Sequence, residues 1–264
     1  LNPAGSDAAT GAFDELAASY DLTFTETHLG RYYRDRVQAV CARYWPGAKR
    51  LLELNAGTGA DAVYLASLGN SVLATDASRP MLETIRRRIA GRNCYGDINT
   101  SRVDLADLGA LQAERFDGVL SNFGGLNCIA DLDQFAQQLS ARLKPGGEAV
   151  LCIMGPWVPW EWLWFGLRAD VTSATRRLSR KSRWRNMDIH YPSAADTNRA
   201  MRAAGFKRIH REGLGFVMPP SYASDFVNSW PRVFAGLGRV ESTLARLPCA
   251  VNLSDHHLSV YRKQ

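Results

Sequence analysis

Between residues 50 and 153 short apolar runs alternate with segments of helical period, and few architectures accommodate that rhythm. RLLEL (50–54), SVLAT (71–75), a weaker run ending at Val103, FDGVLS (116–121) and GEAVLCI (147–153) are too short for helices and are bounded by turn residues. Between them lie amphipathic stretches: one ending near Leu68, then 78–92 and 131–143. Strand–helix alternation of this kind implies a mostly parallel sheet with helices on both faces. Residues 13–45 precede it as a helical segment with Val37, Val40, Cys41 and Tyr44 on one stripe.

After Ile153 the regularity stops. The apolar stretch from Ala149 to Leu167 contains Gly155, Pro156, Pro159 and Glu161, so it reads as a buried strand followed by an aromatic loop, not as a membrane span. A helix is expected over 193–205, a strand over 207–213, an insertion over 214–255 with a helix near 232–247, and a closing strand over 256–262.

With 264 residues, 46% of them hydrophobic and 22% charged, the chain can bury a sizeable core, and global disorder is excluded. A formal charge of +6 permits an anionic partner without implying nucleic acid. Seven basic residues lie between Arg168 and Arg185, opposed by Asp170 alone. Cys41, Cys94, Cys128, Cys152 and Cys249 are scattered, with no C-x-x-C spacing, which argues against a disulfide framework or a metal site and fits a reducing cytoplasm. The first ten residues lack the pattern of a secretory leader, which agrees with a cytoplasmic location.

The chemistry concentrates at strand ends. LLELNAGTGADA places a glycine loop between a strand and a helix, where backbone N–H groups and the helix terminus favour a polar ligand. Gly57-x-Gly59-x-x-Ala62 also fits the loose dinucleotide fingerprint, so the loop alone does not choose a cofactor. Three acids do: Glu53 before the loop, suited to an ammonium group; Asp76 at the second strand end, suited to ribose hydroxyls; and Asp104-Leu105 at the third, suited to an adenine edge. A nicotinamide-dependent oxidoreductase would use the loop and Asp76 but leaves Glu53 and Asp104-Leu105 without a role.

LLELNAGTG (51–59), LATDAS (73–78), VDL (103–105), FDGVLSNFGGLN (116–127) and LKPGGEAVL (143–151) together resemble the class I S-adenosylmethionine-dependent methyltransferases. The resemblance is closest to the small-molecule subgroup of ubiquinone/menaquinone-biosynthesis and sugar N-methyltransferases, which open with a helix like FDELAASYD (13–21). It implies a Rossmann-like, doubly wound α/β fold with a seven-stranded sheet ordered 3-2-1-4-5-7-6 and its last strand antiparallel. The N-terminal residues 1–45 would form a helical lid and 46–264 the methyltransferase domain, with cap insertions at about 155–192 and 214–255. It also implies S-adenosylmethionine as cofactor, S-adenosylhomocysteine as its product, and no metal.

The same resemblance implies residue roles. Ala56 and Gly57 pass close to the cofactor, Asp76 holds its ribose, and Ala77 and Met81 flank the adenine, whose edge meets Asp104 and Leu105. Asn122 and Phe123 lie beneath the methionine arm. Asn55, where the family pattern has glycine, would donate a hydrogen bond near that arm. Arg31 would bind the cofactor carboxylate, or is a solvated helix arginine. Tyr20 would close over the sulfonium, or is a half-buried helix tyrosine.

Methyl transfer needs alignment and a dry pocket, and a general base only if the acceptor requires one. His28 and His190 are the candidates for that base, each with a structural or solvated role as the alternative. His256 and His257 read as packing or surface residues. Trp157, Trp160 and Glu161 are expected on the acceptor, with Glu161 either meeting a cationic group or reaching solvent. Asn122-Phe123-Gly124 is not the Asn/Asp-Pro-Pro-aromatic signature of nucleic-acid amino-group methyltransferases, and the tryptophans precede the basic cluster instead of interleaving with it, so nucleic acid is not the expected partner. The cluster is a solvated helix face, a phosphate grip or a contact with an anionic membrane surface. The sequence therefore points to methylation of a small, partly apolar acceptor at O, N or C. A catalytically silent binding protein of the same fold is the alternative.

Overall fold

A computed structural model describes residues 11, 13–90, 96–111, 114–185, 187–219, 223, 227 and 229–264. Residues 1–10, Cys94, the end of the 78–92 helix and parts of the 214–255 insertion lie outside the described residues.

Strand β1 (Arg50–Leu54) is buried along four of its five residues, as a central parallel strand covered on both faces must be. Its neighbours are β2 (Ser71–Asp76) and, beyond that, β3 (Ile98–Arg102) on one side, then β4 (Phe116–Ser121) and β5 (Leu143–Met154) on the other, all parallel. A two-stranded antiparallel hairpin, β6 (Lys181–Trp184) and β7 (Met187–His190), stands apart. The main sheet is completed by β8 (Phe206–Leu214) and β9 (His256–Lys263), with β9 antiparallel to both β5 and β8. Its order is β3-β2-β1-β4-β5-β9-β8. Counted without the hairpin, this is the expected 3-2-1-4-5-7-6.

Consecutive strand residues feed opposite faces. Leu51, Val150 and Cys152 join one core with Tyr33, Val37 and Cys41 of α1 (His28–Tyr44) and Ala62 and Leu65 of α2 (Ala60–Ser67). Leu52, Ala149 and Leu151 join the other with Phe135 and Leu139 of α4 (Leu132–Arg142), while α3 (Arg79–Ile89) places Leu82 and Ile85 in the first core. Side-chain caps start α1, α3 and α4: Thr27 accepts from Gly30 N–H, Ser78 from Met81 N–H and Asp131 from Gln134 N–H.

The stretch after β5 corrects the expected aromatic loop. It forms α5 (Pro159–Gly166) and α6 (Val171–Thr175) before the hairpin. Pro159 sits in the first turn, where its fixed φ suits a helix start, and Asp170 caps α6 through Ser173 N–H. The chain then enters α7 (Ala194–Ala203) through a capping box between Ser193 and Asp196. The second insertion carries α8 (Pro231–Leu244) and α9 (Pro248–Asn252). In the register Met154 faces His256 and His256 faces Leu214, so both insertions rise from the carboxyl edge that also carries the glycine loop.

Candidate active site

Asn55, Gly57 and Gly59 all take positive φ, 47°, 55° and 78°. Asn55 is the non-glycine residue best able to do so, and its side chain is committed: its amide donates to Asn122 O at 2.6 Å and its oxygen accepts from Ser121 Oγ at 2.6 Å. These two bonds clamp the ends of β1 and β4 together. A Cβ placed on Gly57 would meet no atom within 4 Å, so the loop borders open space, whereas one on Gly59 would lie 2.9 Å from Ile85.

The acids gather around that space. Asp76 is half-buried and accepts from Gly57 N–H and Ser78 N–H, both at 2.9 Å. Burial pushes its carboxyl up to about 6 even though those two N–H groups pull it down. Glu53 is 2% exposed, and its Oε2 has no hydrogen-bond partner among the described residues. Burial, then neighbouring Asp61, hold its carboxyl well above the usual range, with Arg34 pulling the other way. Asn122 donates to Asp61 at 2.9 Å and leaves its buried Oδ1 unpartnered. Asp61 also accepts from Gln38 at 2.8 Å and from Arg34. Buried oxygens without donors are uncommon in folded proteins, and those of Glu53 and Asn122 suit a ligand that brings N–H groups.

Arg34, Gln38 and Asp61 were not anticipated. Arg31 is exposed and donates to Glu26 O at 2.7 Å, whereas Arg34, three residues on, turns inward to Asp61 and lies 5.2 Å over the Phe123 ring. The sequence signal is spacing: Arg34 and Gln38 are an i, i+4 polar pair on the helix flank next to its apolar stripe.

The segment before α1 lies over the glycine loop. A π-helical turn spans Asp21–Thr25. Asp21 accepts from Thr58 Oγ at 2.7 Å and pairs with Arg88, and Asp14 accepts from Ser78 Oγ. Phe24 packs edge-on to Phe123 at 5.1 Å, and burial raises the Tyr20 hydroxyl above its ordinary value. Beside β3, Asp104 turns its carboxylate onto Ala106 N–H at 2.9 Å. Leu105 and Ala77 are half-buried and Met81 is buried.

The acceptor-side expectations fare unevenly. Glu161 neither reaches solvent nor stands free: it is 1% exposed and pairs with Arg177 at 2.8 Å and with Arg176. Arg177, itself 5% exposed, continues to Asp255 at 2.7 Å and to Gly155 O, so this cluster ties α5 to the start of β9. Trp160 donates to Val217 O at 2.9 Å, joining the two insertions, and the Trp157 ring lies 5.3 Å beneath Arg180. His28 is exposed at the first turn of α1. His190 is half-buried on β7, with its carbonyl accepting from Asn127; burial lowers its imidazole below the ordinary value. His257 is buried against Pro192 O at 3.1 Å, and burial brings it down to about 4. His256 is also buried, beside Phe123 and Asp255.

A family model described as a methyltransferase domain matches residues 51–147. The demethylmenaquinone methyltransferase of Clavibacter sepedonicus is 31% identical over 209 residues, covering 76% of this chain and 83% of that protein. The chain belongs to the class I S-adenosylmethionine-dependent methyltransferases. The enzyme of the same name from Thermobifida fusca is 28% identical over 218 residues, covering 77% of this methyltransferase and 88% of its own length. Among solved structures, an S-adenosylmethionine-dependent methyltransferase from Mesorhizobium loti superposes with a TM-score of 0.61 at 19% identity, covering 88% of this chain and 98% of that one. The complex of DhpI with SAH superposes at 0.62 and 14% identity, covering 100% and 98%. At such identities these structures speak for the fold alone.

The methyltransferase uses S-adenosylmethionine, which when bound supplies a methyl group already activated by a sulfonium, and it acts on a small molecule. The observed residues fit that cofactor: unpartnered buried oxygens at Glu53 and Asn122, a carboxylate at Asp76 and open space at Gly57. Among the described residues no group of three or more His, Cys, Asp or Glu is placed to hold a metal ion.

Proposed function

We propose that this methyltransferase acts on a hydroxylated, largely apolar ring molecule of the quinol class. The observation that carries the reading is its kinship, over 83% of the relative's length, to a protein named for methylation of demethylmenaquinone. The aromatic surroundings agree with it. Phe24, Phe123, Tyr33 and His256 form a run of ring contacts at the carboxyl edge, with centroid separations of 5.1, 6.2 and 5.6 Å.

In this reading Glu53 and Asn122 accept from the cofactor's ammonium group, Asp76 from its ribose, and Asp104 with Leu105, Ala77 and Met81 holds the adenine. Ala56 and Gly57 let the backbone come close. Arg34, in place of Arg31, faces the methionine end. Residues 13–27 act as a lid that excludes water, with Tyr20 and Phe24 over the methyl site. Trp157 and Trp160 belong to the cap that shapes the acceptor pocket, while Glu161 supports that cap from below.

The test is a panel of acceptors incubated with S-adenosylmethionine, with release of S-adenosylhomocysteine as the readout. Naphthoquinols and hydroxyarenes should be turned over, and sugar amines and short aliphatic amines should not. Turnover confined to the amines would overthrow the acceptor class.

A second reading concerns where the acceptor is met. Among the described residues no helix is long and apolar enough to cross a membrane. Yet Leu163, Leu167 and Val171, at 53%, 78% and 67% exposure, form an apolar tip on α5 and α6. Of the basic cluster beside it, Arg176, Arg177, Arg180, Lys181 and Arg185 are each paired with a carboxylate. Contact with a lipid surface would therefore rest on the apolar tip more than on charge. Sedimentation with vesicles, lost in Leu163→Asp with Leu167→Asp, is the expected outcome; no sedimentation of the unaltered protein would end this reading.

A further inference from the structure

We propose that His256 is the general base for the acceptor hydroxyl and that Asp255 is its positioning residue. The inference rests on the hydroxylated-ring reading above.

His256 opens β9 at the carboxyl edge, opposite Met154 on one neighbour and Leu214 on the other. Its ring stands edge-on to Phe123 at 5.6 Å, and Phe123 directly follows Asn122 at the end of β4. The imidazole is therefore one ring removed from the residues that border the cofactor space. Tyr33 of α1 closes its other side at 6.2 Å.

The two ring nitrogens differ. Nδ1 is buried and lies 3.1 Å from Asp255 Oδ2, close enough for an ionic contact but without a hydrogen bond among the described residues. Asp255's other oxygen takes the Arg177 guanidinium at 2.7 Å. Burial works against ionisation of that carboxyl, yet Arg177 and then His256 hold it well below the usual carboxylate range. An anion 3.1 Å from Nδ1 favours a proton on that nitrogen and a lone pair on Nε2, the tautomer that a base needs. The charged and titratable groups around the ring are Asp255 at the start of β9, Arg177 after α6, Glu161 of α5 behind it, and Tyr33 with Arg34 of α1.

The other histidines are placed differently. His257 points to the opposite face onto Pro192 O, His210 lies against Glu212 and Tyr44, and His28 is exposed.

In the step proposed, the acceptor O–H proton moves to His256 Nε2 and its bonding pair stays on the acceptor. A pair from that oxygen, or from the ring carbon conjugated with it, forms the bond to the methyl carbon. The carbon–sulfur bond breaks with its pair left on sulfur. Where carbon is the nucleophile, its ring hydrogen then leaves as a proton. The imidazolium returns its proton to water.

The probe for the test is 4-nitro-1-naphthol, whose ionised form absorbs at longer wavelength. Without cofactor, the unaltered enzyme should show the ionised colour at a pH where free probe is neutral. His256→Gln should bind probe and S-adenosylhomocysteine as before but lose that colour, and its kcat with a naphthoquinol should fall by about 100-fold or more. Asp255→Asn should lie between. Nitrogen NMR of the unaltered protein gives an independent reading, with the proton on Nδ1 and Nε2 bare. A protonated Nε2, or a His256→Gln enzyme that keeps both colour and kcat, overturns the assignment while leaving the acceptor class standing. Failure of the unaltered enzyme to bind the probe or turn over any hydroxyarene overturns both.

Discussion

In the role proposed for it, Asp76 makes cofactor binding depend on pH. Its carboxyl is raised to about 6, chiefly by burial. For an acid raised in the folded state the sign is the reverse of the common case: ionising it costs stability as pH rises from the ordinary carboxylate range through about 6. A ribose brings two donors that favour the ionised form, so affinity should be full above 6 and decline as pH falls below it. Calorimetric titration with S-adenosylhomocysteine from pH 5 to 8 checks this, and Asp76→Asn should bind about 10-fold or more weakly at pH 8 with a flat profile. Asn55 makes the opposite prediction. Its side chain is bound to Asn122 and Ser121, so Asn55→Gly should leave cofactor affinity within a few-fold. A loss of about tenfold or more would place Asn55 on the cofactor.

Among the elements, the loop after β8 is held by a device that no local pattern announces. Glu241 of α8 is fully buried and accepts from four successive backbone N–H groups, Gly215 to Met218, at 2.6–3.3 Å. Trp160 then docks onto Val217 O, so this one carboxylate fixes the joint between the two insertions. Glu241→Ala should lower stability by about 3 kcal/mol or more, as expected for removing charge-assisted bonds from a buried loop. Urea unfolding measures it; a change within about 0.5 kcal/mol would mean that the loop holds itself. What the sequence discloses follows the same division. The β1–α2 glycine loop, the strand-end acids and the sheet order are local or follow chain order, and each is legible. Glu161 is not, because its partner Arg177 is 16 residues away and Arg177's own anchor Asp255 is 78 further on. The role proposed for His256 is hidden by the same gap: as the first residue of an alternating strand it reads as packing, and only the register sets it beside Met154 and Phe123. Arg31 and Arg34 differ only in which side of α1 faces inward, and the position of the apolar stripe alone does not decide between them.

At the scale of the molecule, the proposed cofactor and acceptor roles divide along the carboxyl edge. The half built from β1, β2 and β3 carries the glycine loop, Glu53, Asp76 and Asp104. The half built from β5, β8 and β9 carries both insertions, bound to one another and to β9 through Trp160, Arg177 and Glu241. The segment before α1 bridges them, with Asp21 on Thr58 at one end and Glu15 on Arg185 of the hairpin at the other. Closure of that bridge should therefore respond to the cofactor, and hydrogen exchange of residues 13–27 should slow when S-adenosylhomocysteine is added; unchanged exchange would mean that the segment is fixed with or without it. In the proposed reaction this arrangement moves a methyl group from S-adenosylmethionine to a hydroxylated ring. Its most direct test uses cofactor labelled at the methyl carbon and a demethylated naphthoquinol. Labelled product and S-adenosylhomocysteine should form in equal amounts, both falling about tenfold or more in Asp76→Ala at cofactor concentrations below saturation. Hydrolysis of the cofactor without label in the ring, or label appearing only in an amine acceptor, would contradict it.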